Sequence, residues 1–260
     1  MSIDFGRTAD DYARHRAGFP DELFDRLARC GIGSPGQRIL DLGTGTGALA
    51  RGFARRATVV TGLDPSTAMT AQAAELDRAA GVTVRYVTAT AEDTGLPGGS
   101  FDVVSAGQCW HWFDRPRAAA EVYRLLAPGG RVVIAHFDWL PLAGNVVEAT
   151  EALILEHNPA WGFAGRIGMY PQWLPDLQDA GFGGLETFSF DVDVPYTHVD
   201  WRGRIRASAG VAASLAPDAV ARFDADLATL LSARFVVDPL RIPHRVFAVV
   251  GRRPATSGTP

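Results

Sequence analysis

Lysine is missing from this chain: all 25 basic residues are arginine. That excludes a lysine Schiff base and the lysine of a phosphate-binding P-loop. Cysteine is nearly missing as well, and Cys30 and Cys109 alone are too few for a disulfide scaffold or a thiolate zinc site. No stretch reaches the roughly 18 consecutive apolar residues of a membrane span. The first twenty residues carry Asp4, Arg7, Asp10, Asp11, Arg14 and Arg16 where a secretory signal would be apolar. A soluble, cytoplasmic protein with no membrane partner is the expectation. Positive charge is not in surplus either: 29 acidic residues outnumber the basic ones and the net charge is −4, so no nucleic-acid partner is expected. The histidines, at positions 15, 111, 136, 157, 198 and 244, show no His-x-x-x-His spacing, and no metal site is expected.

What is present is the texture of an α/β protein. A chain of 260 residues suits one such domain with insertions. Residues 20–30 have helical spacing, and Gly31 to Gly36 end that helix. Short apolar runs at 39–42, 59–63, 82–88, 101–105 and 131–136 read as strands. Helical patterns at 48–57, 67–80 and 116–126 separate them, with Ser66 placed to cap the second. Such alternation implies βαβ crossovers and a mostly parallel sheet. From Pro141 to Ala180 the pattern breaks up, with helices at 145–156 and 173–180. Further on come a strand at 188–194, helices at 200–213 and 217–233, and a last strand at 245–251.

The first strand runs straight into Asp41-Leu42-Gly43-Thr44-Gly45-Thr46-Gly47 and then a helix. Glycines there permit a tight turn and close backbone approach to a ligand, and a following helix start favours a phosphate or carboxylate. Asp64, ending the next strand, is placed for a pair of ribose hydroxyls. The spacing is not the G-x-G-x-x-G dinucleotide fingerprint, although a permissive version ending at Ala48 keeps that reading open, as it does a plain βα turn with no ligand.

Taken with four further motifs, this segment resembles the class I S-adenosylmethionine-dependent methyltransferases, and within them the small-molecule group of ubiquinone/menaquinone and trans-aconitate methyltransferases. The motifs are Asp64-Pro65-Ser66, Thr90 to Pro97, Phe101 to Val104 followed by Gln108, and Leu125 to Gly130, in order across residues 10 to 140. The resemblance implies a Rossmann-like fold: a mostly parallel seven-stranded sheet, helices on both faces and a helical insertion after strand five. It implies S-adenosylmethionine as cofactor, released as S-adenosylhomocysteine. Asp41, Gly43, Gly45 and Gly47 would face the methionine part, Asp64 the ribose, and Pro65, Ser66, Met69, Ala91 and Glu92 the adenosine. Gln108 would line the methionine side. Tyr12 and Arg16 match a preceding segment, Tyr12 as a lid over the methionine and Arg16 as a contact to its carboxylate, although packing of a surface arm is the alternative.

The expected organisation is an N-terminal arm and helix over 1–36, a cofactor core over 37–140 and a helical lid or substrate insertion over 141–185. The rest of the sheet with a helical insertion follows over 186–253, and a disordered tail over 254–260. The expected reaction moves a methyl group to an O, N or C nucleophile of a small, apolar or aromatic metabolite, in a monomer or homodimer. Other chemistry on the same cofactor (cyclisation or aminocarboxypropyl transfer), or non-catalytic binding, fits the same motifs. His111 is the candidate proton acceptor or substrate orienter, since imidazole titrates near neutrality, with walling of the pocket as the alternative. His136 is the candidate orienter of a proton acceptor together with Asp138, or else a hydrogen-bonded structural residue. Trp110, Trp112, Trp139, Trp161 and Tyr170 are candidate walls of a substrate pocket, with core packing as the competing role. Arg202, Arg204 and Arg206 read as a solvated helix face, or as contacts to an anionic substrate.

Overall fold

A computed structural model of the protein describes His15 and residues 17–255. Most of the expected tail therefore lies outside the described residues. Helix α1 (Asp21–Arg29) starts after Pro20, with acidic Asp21 and Glu22 in its first turn and Arg26 and Arg29 in its last, matching its dipole. Strand β1 (Arg38–Leu42) leads through the glycine loop into α2 (Ala48–Ala54). Strand β2 (Val59–Leu63) and helix α3 (Thr67–Ala80) keep the bounds expected from the sequence. Ser66 caps α3 by accepting from the Met69 N–H, and Gly81 ends it with φ of 67°.

Strand β3 (Arg85–Val87) is shorter than expected, because Val82 is still held by the helix through its N–H to the Asp77 carbonyl. Strand β4 (Phe101–Gly107), a 3-10 turn at Trp110–Trp112 and α4 (Arg115–Leu125), capped by Asp114, complete the first half. Strand β5 (Leu126–Trp139) starts earlier than its apolar run. Leu126 pairs with Phe101 and Arg131 with Val103, so Ala127 to Gly130 bulge out opposite Asp102. A Cβ on Gly130 would meet the Ala127 carbonyl at 2.8 Å, so only glycine suits that bulge.

Helices α5 (Val146–His157) and α6 (Trp173–Asp179) follow, then β6 (Gly183–Tyr196), α7 (His198–Arg206), α8 (Pro217–Arg234) and β7 (Leu240–Arg252). The helix expected at 200–213 closes at Arg206, where the chain turns through Ser208 and Val211. The strands form one seven-stranded sheet in the order β3-β2-β1-β4-β5-β7-β6. Pairs β1·β2, β1·β4, β2·β3 and β4·β5 are parallel, which places the C-terminal ends of β1, β2 and β4 side by side. No helix among the described residues is long and apolar enough to cross a membrane.

The chain divides into two compact units. One takes residues 18–137, 170–189 and the segment from Val246; the other takes His15, Ala17 and residues 138–169 and 190–245. In the first, Leu40, Leu42, Val104, Ile134 and Val249 pack with Ala118, Val122 and Leu125 of α4 and with Trp173 and Leu177 of α6. Alternation along each strand turns Ile39, Val103 and Val133 to the opposite face. Helices α1 and α2 meet where Gly52 makes room: its Cβ would overlap the Phe24 ring at 2.0 Å. The second unit has its own core of Ile154, Trp201, Ile205, Phe223 and Leu227.

Candidate cofactor and active site

Gly43, Gly45 and Gly47 all lie in the left-handed region, with φ of 56°, 55° and 76°. A side chain at these angles costs about 1–2 kcal/mol. A Cβ at Gly43 would also lie 2.9 Å from the Cys109 Sγ, and one at Gly47 2.6 Å from the Tyr86 hydroxyl. The loop is pinned at several points. The Thr44 N–H donates to the Leu63 carbonyl (3.0 Å) and the Gly47 N–H to the Thr44 carbonyl (2.9 Å). Cys109 sits under the turn and donates its thiol to the Leu42 carbonyl at 3.1 Å.

Two carboxylates hold this loop in different ways. Asp41 is buried beneath it, accepting the Thr44 hydroxyl at Oδ2 and the Ser105 hydroxyl at Oδ1, both at 2.7 Å. Burial pushes its carboxyl up to about 6, against the lowering effect of those two hydroxyls. Asp64 stands at the end of β2, where Oδ2 accepts the Gly45 N–H and Oδ1 the Ser66 N–H, both at 2.9 Å. Burial raises its carboxyl too, offset by these backbone donors. A carboxylate has about four lone-pair sites, so two remain for a ligand's hydroxyls. The residues present thus fit an adenosyl group: backbone without Cβ at the turn, and a carboxylate with unused acceptor capacity beside it.

A third set of side chains supports the loop from the α3 side and was not singled out in the sequence. The Arg51 Nη2 donates to the Thr46 carbonyl at 2.8 Å, and its Nε lies 2.9 Å from the Asp77 Oδ1 as an ion pair. The Tyr86 hydroxyl donates to the Asp77 Oδ2 at 2.6 Å. Burial, and then the neighbouring Asp77, raise the Tyr86 phenol well above its ordinary range. Asp77 and Tyr86 are far from Arg51 in sequence, so no local spacing announces the trio.

The remaining expected cofactor residues surround the same strand ends. Met69 and Ala91 are buried, Ser66 is half-buried and Pro65 exposed. The Met69 methyl lies 3.4 Å from where a Gly45 Cβ would be. Glu92 accepts the Asp114 N–H at 2.9 Å, joining the loop after β3 to the start of α4. Gln108 has a φ of +65°, rare for a side-chain-bearing residue. Its N–H donates to the Ala135 carbonyl (2.8 Å) and its side-chain amide to the Phe137 carbonyl (2.6 Å). Tyr12 and Arg16 lie outside the described residues.

The 3-10 turn past the end of β4 and the last part of β5 bring the two candidate histidines together. The His111 and His136 rings meet edge to face with centroids 5.2 Å apart. His111 is half-buried and lies 4.5 Å from the ring of Trp112, which is 43% exposed. His136 is buried against Tyr170 (4.6 Å) and Trp173 (5.6 Å), and those two rings stack in parallel at 4.3 Å. Trp110 takes the core role: it is fully buried, and its Nε1 donates to Asp176 at 2.9 Å, beside Arg115.

Trp139 and Trp161 belong to the other unit. The Trp139 Nε1 donates to the buried Glu151 at 2.8 Å, and Trp161 packs within that unit's apolar cluster. The arginine run of α7 is not the solvated face expected from its alternation. Arg202 and Arg206 both pair with Asp224 of α8, and Arg204 is buried with its guanidinium 4.6 Å from the Trp139 ring centroid.

Comparisons with known proteins agree with this fold. A family profile described as "Methyltransferase domain" matches residues 40–134. An "Uncharacterized methyltransferase" of Mycobacterium tuberculosis is 38% identical over 153 residues, 56% of this chain and 60% of the relative. The chain thus spans less than two thirds of that relative's length. The "Ubiquinone/menaquinone biosynthesis C-methyltransferase" of Vibrio parahaemolyticus is 34% identical over 65% of this chain and 73% of the relative. Among solved structures, the phosphoethanolamine N-methyltransferase 2 of Haemonchus contortus in complex with S-adenosyl-L-methionine shares the fold. Its TM-score is 0.56 at 22% identity, over 96% of this chain and 56% of that one. The chain belongs to the class I S-adenosylmethionine-dependent methyltransferases.

Proposed function

We propose that this protein binds S-adenosylmethionine on the Gly43–Gly47 loop and Asp64, and moves its methyl group to a small apolar or aromatic metabolite. The observation that carries this reading is the run of three left-handed glycines after β1 with the Asp64 carboxylate beside the middle one. The likeness to the Vibrio quinone C-methyltransferase supports an acceptor of that ring-bearing kind.

Bound S-adenosylmethionine supplies an electrophilic methyl carbon on a sulfonium. The chain's own part is to hold, align and keep dry. Asp64 keeps two acceptor sites for the ribose hydroxyls while its backbone contacts fix the loop. Asp41, sealed under Thr44, keeps negative charge below the loop above pH 6, which favours a cationic ligand group over it. Gln108 fixes the ends of β4 and β5 together, and so fixes the distance between what each strand end carries. Alignment of donor and acceptor supplies most of the rate in such a displacement. His111, half-buried between the exposed Trp112 and the buried His136, is placed to take a proton from an acceptor hydroxyl or amine. His136, held among Tyr170 and Trp173, fixes the orientation of the His111 ring. Trp112, the exposed ring, offers an aromatic face to an apolar acceptor and to positive charge, while Tyr170 is buried in its stack on Trp173.

The test is mass spectrometry of the purified protein incubated with S-adenosylmethionine and a panel of phenols, amines, quinone precursors and carboxylic acids. The expected result is S-adenosylhomocysteine together with one acceptor heavier by a methyl group. Methylthioadenosine without a methylated acceptor would instead point to cyclisation or aminocarboxypropyl transfer and overturn the reading.

A further inference from the structure

We propose that Arg51, Asp77 and Tyr86 are positioning residues that set the glycine loop for its cofactor. This inference rests on the reading that the loop binds S-adenosylmethionine. Its starting point is the direction of the Arg51 side chain. From the first turn of α2, Nη2 turns back to the carbonyl of Thr46, the residue between Gly45 and Gly47. A weaker contact from the same nitrogen reaches the Ala73 carbonyl of α3 at 3.4 Å. Asp77, also on α3, holds the Nε side of the guanidinium, and Tyr86 of β3 holds Asp77. One planar guanidinium therefore reaches both the loop and α3, in an ion pair with a carboxylate that itself accepts a phenol hydroxyl.

The trio also touches the loop directly. A Cβ at Gly47 would lie 2.6 Å from the Tyr86 oxygen and 3.3 Å from the Arg51 Nη2, while one at Gly62 would lie 2.7 Å from the Tyr86 ring. Gly47, at φ of 76°, is the residue from which α2 starts. Its peptide is thus held by the Thr44 carbonyl in front and by the arginine fork behind.

The energetics argue for a role beyond cohesion. The Arg51 and Asp77 side chains are 13% and 5% exposed. A buried ion pair recovers its desolvation cost poorly, and apolar residues of similar volume are often as stable. Apolar residues could not bind the Thr46 carbonyl, and no single-point charge reaches both it and Asp77 in a fixed plane as guanidinium does. What the pair adds is a defined loop conformation in the absence of ligand, which lowers the ordering cost of binding.

The experiment uses the full chain as wild type, Arg51→Lys and Tyr86→Phe. Titration calorimetry measures S-adenosylhomocysteine affinity, thermal unfolding measures stability without ligand, and residue-resolved amide hydrogen exchange measures loop order. Tyr86→Phe keeps the ring against Gly62 and serves if Arg51→Lys fails to fold. The expected result is an affinity loss of about 10-fold, the scale of one charge-assisted hydrogen bond. Protection should fall at the Gly45 and Gly47 amides while the β1 and β2 amides keep theirs. Unchanged affinity overturns the proposal, and so does a uniform loss of protection with affinity following the melting temperature, the signature of a merely structural trio. If the wild type itself fails to bind, the cofactor reading falls and this proposal with it, whereas selective failure in the variants leaves that reading standing.

Discussion

Replacing Asp41 by asparagine should make the protein more stable and its cofactor site weaker. Asp41 is 1% exposed, and its carboxyl titrates near 6 in the fold against 3.8 in the free side chain. The folded state therefore binds the proton more tightly than the unfolded chain does. The sign follows: this group favours the fold below pH 4, and that contribution is lost as pH rises from about 4 to about 6. The difference between the two titrations corresponds to about 3 kcal/mol at neutral pH. Asparagine keeps the shape and carries no charge. Its oxygen can accept the Thr44 hydroxyl, and its amide can donate to Ser105, whose own proton can turn to the Leu40 carbonyl 3.4 Å away. Urea unfolding of both proteins from pH 4 to pH 8 is the assay. The stability difference should be near zero at pH 4 and grow to as much as about 3 kcal/mol above pH 6.5, or roughly 6–12 °C in melting temperature. The asparagine variant should also bind S-adenosylmethionine more weakly than wild type, by an amount that grows over the same range as the wild-type charge appears. Subtracting the two curves removes the contributions of Glu151, raised by burial, and of Asp102 and Glu121, lowered by arginine partners. A difference that does not vary with pH, or an asparagine variant less stable at pH 7.5, would refute the reasoning.

Three further outcomes follow from contacts already described. Gly43→Ala meets both an unfavourable φ and the Cys109 side chain at 2.9 Å, and should cost about 2–4 kcal/mol in thermal unfolding. Gly45→Ala, with only the Met69 methyl at 3.4 Å, should cost about 1 kcal/mol less or better. His111→Gln should lower kcat about 100-fold with the KM for S-adenosylmethionine unchanged, read by S-adenosylhomocysteine release once an acceptor is found.

The glycine loop and its flanks were legible in the sequence because their signals are local. A strand, three glycines at two-residue spacing and an aspartate at the next strand end lie within one βαβ unit, and Ser66 capped α3 as its position suggested. The family resemblance carried the sheet as a whole, which has the expected seven strands. Strands β6 and β7 run beyond the expected 188–194 and 245–251, since β6 also takes in Gly183 and Glu186 on ladder bonds that hydropathy does not report. Pro128, Gly129 and Gly130, which follow the helix expected over 116–126, form a bulge within β5. Long-range pairing was out of reach: nothing near Arg202 or Arg206 announces Asp224, nothing near Arg51 announces Asp77, and Trp110 looks as suited to a pocket as to the core until Asp176 is beside it.

Gln108 places opposed demands on a single codon. The backbone at φ of +65° favours glycine, which would relieve about 1 kcal/mol. The Phe137 carbonyl favours an amide donor, whose loss would cost about 1–2 kcal/mol. The two nearly balance, so drift at this position is close to neutral for folding and is felt chiefly in how firmly the two strand ends are held. A chain that slipped to glycine here would fold almost as well and would hold the end of β4 less firmly against β5.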